Sequence, residues 1–162
     1  MSLRRTTSDD PDFRALVALL DQELAVHNGE KNDFFVQFNK IDKIKHALVA
    51  LVGDRPVGIG AIRAFNDDTT EVKRMYVLPV LRGKGVAAEV LQGLETWATE
   101  LGFRYTTLET ATYLPAAVRL YERSGYERIP NYGQYVGVET SVCMRKDLVS
   151  RIEDRGSRIE DP

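Results

Sequence analysis

Midway along the chain, Met75-Tyr-Val-Leu-Pro-Val-Leu-Arg-Gly-Lys-Gly-Val-Ala-Ala88 passes from a β-type segment through a short loop with two glycines into a helix. This order constrains the fold more than any other stretch. The first amides of a helix have no intrahelical acceptor, and the positive end of the helix dipole adds to them, so a diphosphate can be held there. Gly83 and Gly85 let the backbone come close to such a ligand, and Arg82 and Lys84 supply charge-assisted donors. Behind the loop, Val86, Val90, Leu94, Trp97 and Leu101 recur at helical spacing, predicting a helix over residues 85–101 that Gly102 ends.

Three readings of the loop follow from its residues. A P-loop is excluded, because position 78 is Leu and Gly83-Lys84 is followed by Gly85 rather than Ser or Thr. A dinucleotide fingerprint is matched in form by Gly83-Lys-Gly-Val-Ala-Ala88, but that motif opens the first unit of a parallel sheet, whereas this one lies mid-chain. A glycine-rich turn without a ligand is the third.

The segments before the loop predict a meander. Leu3-Arg-Arg-Thr-Thr7 reads as a short strand, and Ser8-Asp-Asp-Pro11 supplies the cap and first-turn proline of a helix. That helix carries its apolar stripe on Phe13, Leu16, Val17, Leu20 and Leu24. A second helical piece is predicted over residues 33–40, where Phe34, Phe35 and Phe38 cluster. Residues 46–52 and 57–65 form a hairpin about Gly53-Asp-Arg-Pro56. A third strand over residues 70–77 places Glu71, Lys73, Met75 and Val77 on one face and Val72, Arg74 and Tyr76 on the other. After the central helix come a β-rich segment at 104–110, a helix at 115–123 closed by Gly125, and a strand at 139–146. A meander followed by strand–helix alternation predicts a mixed sheet with helices on both faces. One domain spans residues 1–148; residues 149–162, where Ser-Arg-Ile-Glu-Asp occurs twice, form an appendage.

Composition enters chiefly by exclusion. The formal net charge of -2, with both signs interspersed, provides neither a nucleic-acid face nor a polybasic membrane patch. No apolar run reaches the length of a bilayer span and the N-terminus lacks a signal-peptide core, which predicts a cytoplasmic protein. His27 and His46 have no partners at ligand spacing, so no metal site is expected. The single Cys143 lies in an alternating strand and reads as a buried structural thiol.

The loop and the downstream helix together carry a resemblance. Arg82-Gly-Lys-Gly-Val-Ala87 fits the Gln/Arg-x-x-Gly-x-Gly/Ala signature of the GCN5-related N-acetyltransferases, and Ala117-Val-Arg-Leu-Tyr-Glu-Arg-Ser-Gly-Tyr126 looks like their second signature at the expected distance. The chain therefore resembles that family over about residues 3–148, with the specific motifs in 70–126. The resemblance implies an α/β (α+β) domain with a mixed, mostly antiparallel sheet of about seven strands. It implies an acetyl-CoA-dependent N-acetyltransferase; aromatics with few acidic residues in the segments that would build its acceptor site point to a primary amine of a small molecule or amino-acid-like acceptor rather than a polycation. A non-catalytic module that binds acyl-CoA is the alternative. A homodimer is compatible with the sequence, which names no macromolecular partner.

The same resemblance assigns roles. The backbone of Met75, Tyr76 and Val77 would pair with the pantetheine amides, in a slot where this strand splays from the next. The loop of Arg82, Gly83, Lys84, Gly85, Val86, Ala87 and Ala88 would hold the pyrophosphate. Tyr121 stands where a phenol protonates the coenzyme A thiolate; the other reading is a packing aromatic beside Leu120. Glu71 stands where a histone-acetylating branch carries its general base, the other reading being a surface carboxylate paired with a cation such as Lys73; Glu109 is a second candidate base. Leu114 departs from the pattern, since many members carry a cofactor-bonding asparagine there, with Tyr113 adjacent. The acceptor wall would comprise Phe34, Phe35, Phe38, Asn131, Tyr132, Gln134 and Tyr135, although Asn131-Tyr-Gly-Gln-Tyr135 equally suits a turn with two packing tyrosines.

Overall fold

In the computed structural model, which describes residues 1–28 and 43–148, seven strands form one sheet in the order β1-β2-β3-β4-β5-β7-β6. They are β1 (Ser2–Thr6), β2 (His46–Val52), β3 (Arg55–Ala64), β4 (Thr69–Val77), β5 (Tyr105–Ala111), β6 (Glu127–Ile129) and β7 (Ser141–Asp147), with helices α1 (Pro11–Asn28), α2 (Val86–Glu100) and α3 (Pro115–Arg123). The sheet is mixed: β1/β2, β2/β3, β5/β7 and β6/β7 are antiparallel, and β4/β5 is parallel. The expected mixed sheet of about seven strands is therefore observed, and β6 is a strand that the segment reading did not contain. The proposed helix at 33–40, its three phenylalanines and the appendage lie outside the described residues.

Two compact units divide the described chain, Met1–Arg63 with Val72–Leu94, and Ala64–Glu71 with the residues from Glu95 on. In the first, Asp10 caps α1: its Oδ1 accepts from the amides of Asp12 (2.8 Å) and Phe13 (3.3 Å). The predicted stripe of α1 then buries Phe13, Leu16, Val17 and Leu20 against Ala47, Val49, Ile59, Ala61 and Tyr76. Helix α2 covers the opposite face, where β3 is glycine-rich for a steric reason. A Cβ at Gly60 would sit 2.7 Å from Met75 Sδ and 2.8 Å from Val90 Cγ1 and Leu94 Cδ1. The β2–β3 turn begins at Gly53, whose φ of 60° suits the mirror-image turns that match strand twist. Beside it the register shifts between Ala50 and Leu51, close to Pro56, which has no N–H to give the ladder.

The alternation predicted for β4 holds in its second half, with Met75 and Val77 on the α2 face and Tyr76 in the α1 core. The sequence carried no sign of Arg74, which adopts a left-handed φ of 61° inside the strand. Such a residue costs about 1–3 kcal/mol and persists where its surroundings hold it. Its buried guanidinium donates to Asp21 of α1 at 2.7 Å.

In the second unit, Phe65 and Asn66 donate to Thr69 O at 2.8 and 3.2 Å, closing the predicted turn before β4. Helix α3 ends as expected: Gly125 has φ 94° and Tyr126 N–H reaches back to Tyr121 O at 3.0 Å, a Schellman arrangement. A buried ion pair adds to this end, since Lys146 Nζ donates both to Glu95 Oε1 (2.9 Å) and to Ser124 O (2.7 Å).

Candidate functional site

The β4-to-α2 connection, within the first unit, has the local form the sequence predicted. Pro79–Leu81 makes one 3-10 turn, and Gly83 and Gly85 take φ values of 77° and 87° that L side chains rarely adopt. A Cβ at either glycine would meet nothing within 4 Å, so both face open space. Gly85 O accepts the first helical bond, from Glu89 N–H at 3.1 Å, which leaves the amides of Val86, Ala87 and Ala88 ahead of the intrahelical ladder. Lys84 and Ala88 are exposed and Ala87 half-buried, whereas the Val86 side chain is buried. An open, amide-rich turn of this kind fits a diphosphate.

Arg82 is placed differently from a free anion-binding side chain. Its two terminal nitrogens donate to the carboxylate of Glu23 on α1 at 2.8 and 2.9 Å, its Nε donates to Val77 O at 2.9 Å, and its guanidinium lies 5.4 Å from the Tyr76 ring centre. It fixes the entry of the loop to β4 and α1. The Glu23 carboxyl is held below its usual range by this hydrogen bond, which outweighs the desolvation that opposes it. Nothing in local spacing could have announced a partner 59 residues away.

The two candidate bases and the candidate acid all belong to the second unit. Glu71 occupies the last of three β4–β5 register pairs, opposite Thr107, so Glu109, two residues on, lies on the same face. Glu71 is 2% exposed and accepts a hydrogen bond from Tyr132 Oη at 2.8 Å. Glu109 accepts from Ser141 Oγ at 2.8 Å, across the Ala111↔Ser141 end of the β5–β7 ladder. Tyr132, which donates to Glu71, is the N-cap of the 3-10 turn Gly133–Tyr135. Asn131 Nδ2 ties the turn down by donating to Tyr135 O (3.2 Å) and Val138 O (3.0 Å). The segment 131–135 is therefore a turn with two packed tyrosines that also delivers a phenol to Glu71.

Burial holds the phenols of Tyr132 and Tyr135 far above their ordinary range; the Glu71 charge adds most to Tyr132, and Glu109 then Glu71 to Tyr135. Tyr121 is buried on α3, its ring edge-on to Tyr126 at 5.9 Å. Burial first, and Glu109 second, push its phenol up as well, so it keeps its proton at neutral pH. Leu114 is the N-cap of α3 and forms no side-chain cap bond, while burial followed by Glu109 raises Tyr113. Cys143 is free and buried, as expected, and burial raises its thiol. Among the described residues no cluster of potential ligands could hold a metal ion, and no helix is long and apolar enough to cross a membrane.

Comparison with known proteins adds an independent line. The model of the acetyltransferase (GNAT) family matches residues 9–126. The chain is 33% identical over 147 residues to the "Uncharacterized N-acetyltransferase YsnE" of Bacillus subtilis, covering 86% of this chain and 97% of that one. It is 39% identical over 72 residues to the "Uncharacterized N-acetyltransferase YjgM" of Escherichia coli, a match spanning 44% of this chain and 43% of that protein, less than half its length. A solved structure from Klebsiella pneumoniae superposes with a TM-score of 0.76 at 28% identity, covering 91% of this chain and 97% of the other.

Proposed function

Because the chain belongs to the acetyltransferase (GNAT) family and is an acyltransferase, we propose that it transfers an acetyl group from acetyl-CoA to a primary amine of a small molecule or amino-acid-like acceptor, by direct attack in a ternary complex. The observation that carries this reading is the open, positive-φ turn at Gly83 and Gly85 leading into α2. When bound, acetyl-CoA supplies the acyl group as an activated thioester. The amides of Val86, Ala87 and Ala88 and the exposed ammonium of Lys84 would hold its diphosphate. Arg82 keeps the loop in place through Glu23 and Val77 O, and the backbone of Met75, Tyr76 and Val77 would take the pantetheine arm.

An amine attacks only as the free base, and a thiolate leaves more easily when protonated. In our reading Glu71 takes the proton from the incoming ammonium. Tyr121, which holds its proton at working pH, is the donor for the departing sulfur. The aromatic setting of Glu71, with Tyr132 and Tyr135 against it, favours a compact acceptor over an extended polycation. The test is a panel of amines, including glycinamide, lysine amide, tyramine and ethanolamine, incubated with acetyl-CoA and assayed for free thiol. Amine-dependent thiol release supports transfer; CoA binding without release for any amine would leave a non-catalytic acyl-CoA module.

A further inference from the structure

We propose that Tyr132 is a positioning residue for the base: its hydroxyl orients and holds the carboxylate of Glu71, so that the proton-accepting oxygens meet the acceptor in one fixed geometry. The proposal rests on the reading of Glu71 as the base.

A carboxylate that is 2% exposed has little water left around it, so the protein groups that reach it set its orientation. A hydroxyl donor at short range does this. The Tyr132 hydroxyl is such a donor, at 2.8 Å from Oε2, and because its phenol is held protonated the bond runs in one direction. Among the described residues, the other titratable groups facing this bond are Tyr135 on the same turn, Glu109 on β5 and Cys143 on β7.

The mount is rigid. The Tyr132 ring meets Phe65 edge-on at 5.0 Å on one side and Tyr135 at 5.8 Å on another. Its backbone carbonyl accepts from Tyr135 N–H at 2.9 Å, and the two amide bonds of Asn131 brace the turn. A phenylalanine would preserve every one of these ring and backbone contacts and remove only the hydroxyl. The hydroxyl is therefore separable from the packing.

Two arms test this. In the first, 3-fluorotyrosine is incorporated at position 132 and followed by fluorine NMR against pH. The resonance should titrate well above free fluorotyrosine, and Glu71→Gln should move that titration to lower pH; no response to Glu71→Gln would overturn the contact. In the second, thiol release is measured with the panel amine that turns over. Tyr132→Phe should lower kcat about ten- to hundredfold, the range for losing a hydrogen bond to a charged group. KM for acetyl-CoA and the rise in melting temperature on adding CoA, which reports folding, should stay unchanged. In a Glu71→Gln background, Tyr132→Phe should cost nothing further. A kcat within twofold of the parent, or an equal loss in both backgrounds, overturns the positioning role. Unaltered turnover in Glu71→Gln alone would instead sink the base assignment, so the two failures are told apart.

Discussion

Replacing Gly85 by aspartate separates the stability of the loop from its affinity for a diphosphate. At φ 87° an L residue costs about 1–2 kcal/mol, while a carboxylate at a helix N-terminus returns about 0.3–1 kcal/mol. No steric term enters, because a Cβ there meets nothing within 4 Å. The net destabilisation is then below about 2 kcal/mol, a fall in melting temperature of no more than about 8 °C for a chain of this size. Binding responds differently. At about 5 Å and an effective dielectric of 40 to 80, each like-charge pair costs about 0.8–1.7 kcal/mol. Against the two charges of a diphosphate the total is about 1.6–3.4 kcal/mol, or roughly 15- to 300-fold in Kd. Gly85→Ala carries the backbone penalty without the charge, so the pair isolates the electrostatic part. The assay is calorimetric titration with CoA at low and high salt; screening should shrink the aspartate penalty. A Kd for Gly85→Asp within threefold of that for Gly85→Ala would refute a diphosphate at this turn.

Tyr121→Phe should lower kcat at least tenfold while CoA affinity persists; unchanged turnover would remove Tyr121 as the acid. Glu71→Gln should depress activity most at low pH, where the acceptor is an ammonium that must shed a proton, and least above the acceptor's own pKa, where free amine is already present. A pH-independent loss would argue against a base at this position. Gly60→Ala should destabilise by about 1–3 kcal/mol through overpacking, because the new methyl would press on Met75, Val90 and Leu94; thermal melting reads this, and an unshifted melting temperature would show that the three side chains yield freely.

The elements were legible because their signals are local. The four-, four-, three- and four-residue spacing from Val86 to Leu101 predicted a helix, and α2 occupies Val86–Glu100. Gly102 and Gly125 were read as left-handed terminators and have φ values of 93° and 94°. The turn at Gly83 and Gly85 was likewise visible, since only glycine enters that conformation without penalty. The left-handed Arg74 was not visible: its side-chain pattern is that of an ordinary strand, and its bond to Asp21 spans 53 residues. That residues 131–135 form a packed turn depends on contacts from Phe65 and Asn131 that no spacing rule contains.

By itself, the amino-acid order determined most of the strands, the three described helices and the open glycine turn, because each depends on residues within a few positions of one another, whereas the candidate acid and base came from the resemblance. Only the tertiary structure decided which side chains meet. Arg82 pairs with Glu23 across 59 residues, and Tyr132 reaches Glu71 across 61. Such pairings depend on how strands and turns are stacked in space, and that order follows from packing the whole core rather than from any segment's own preference.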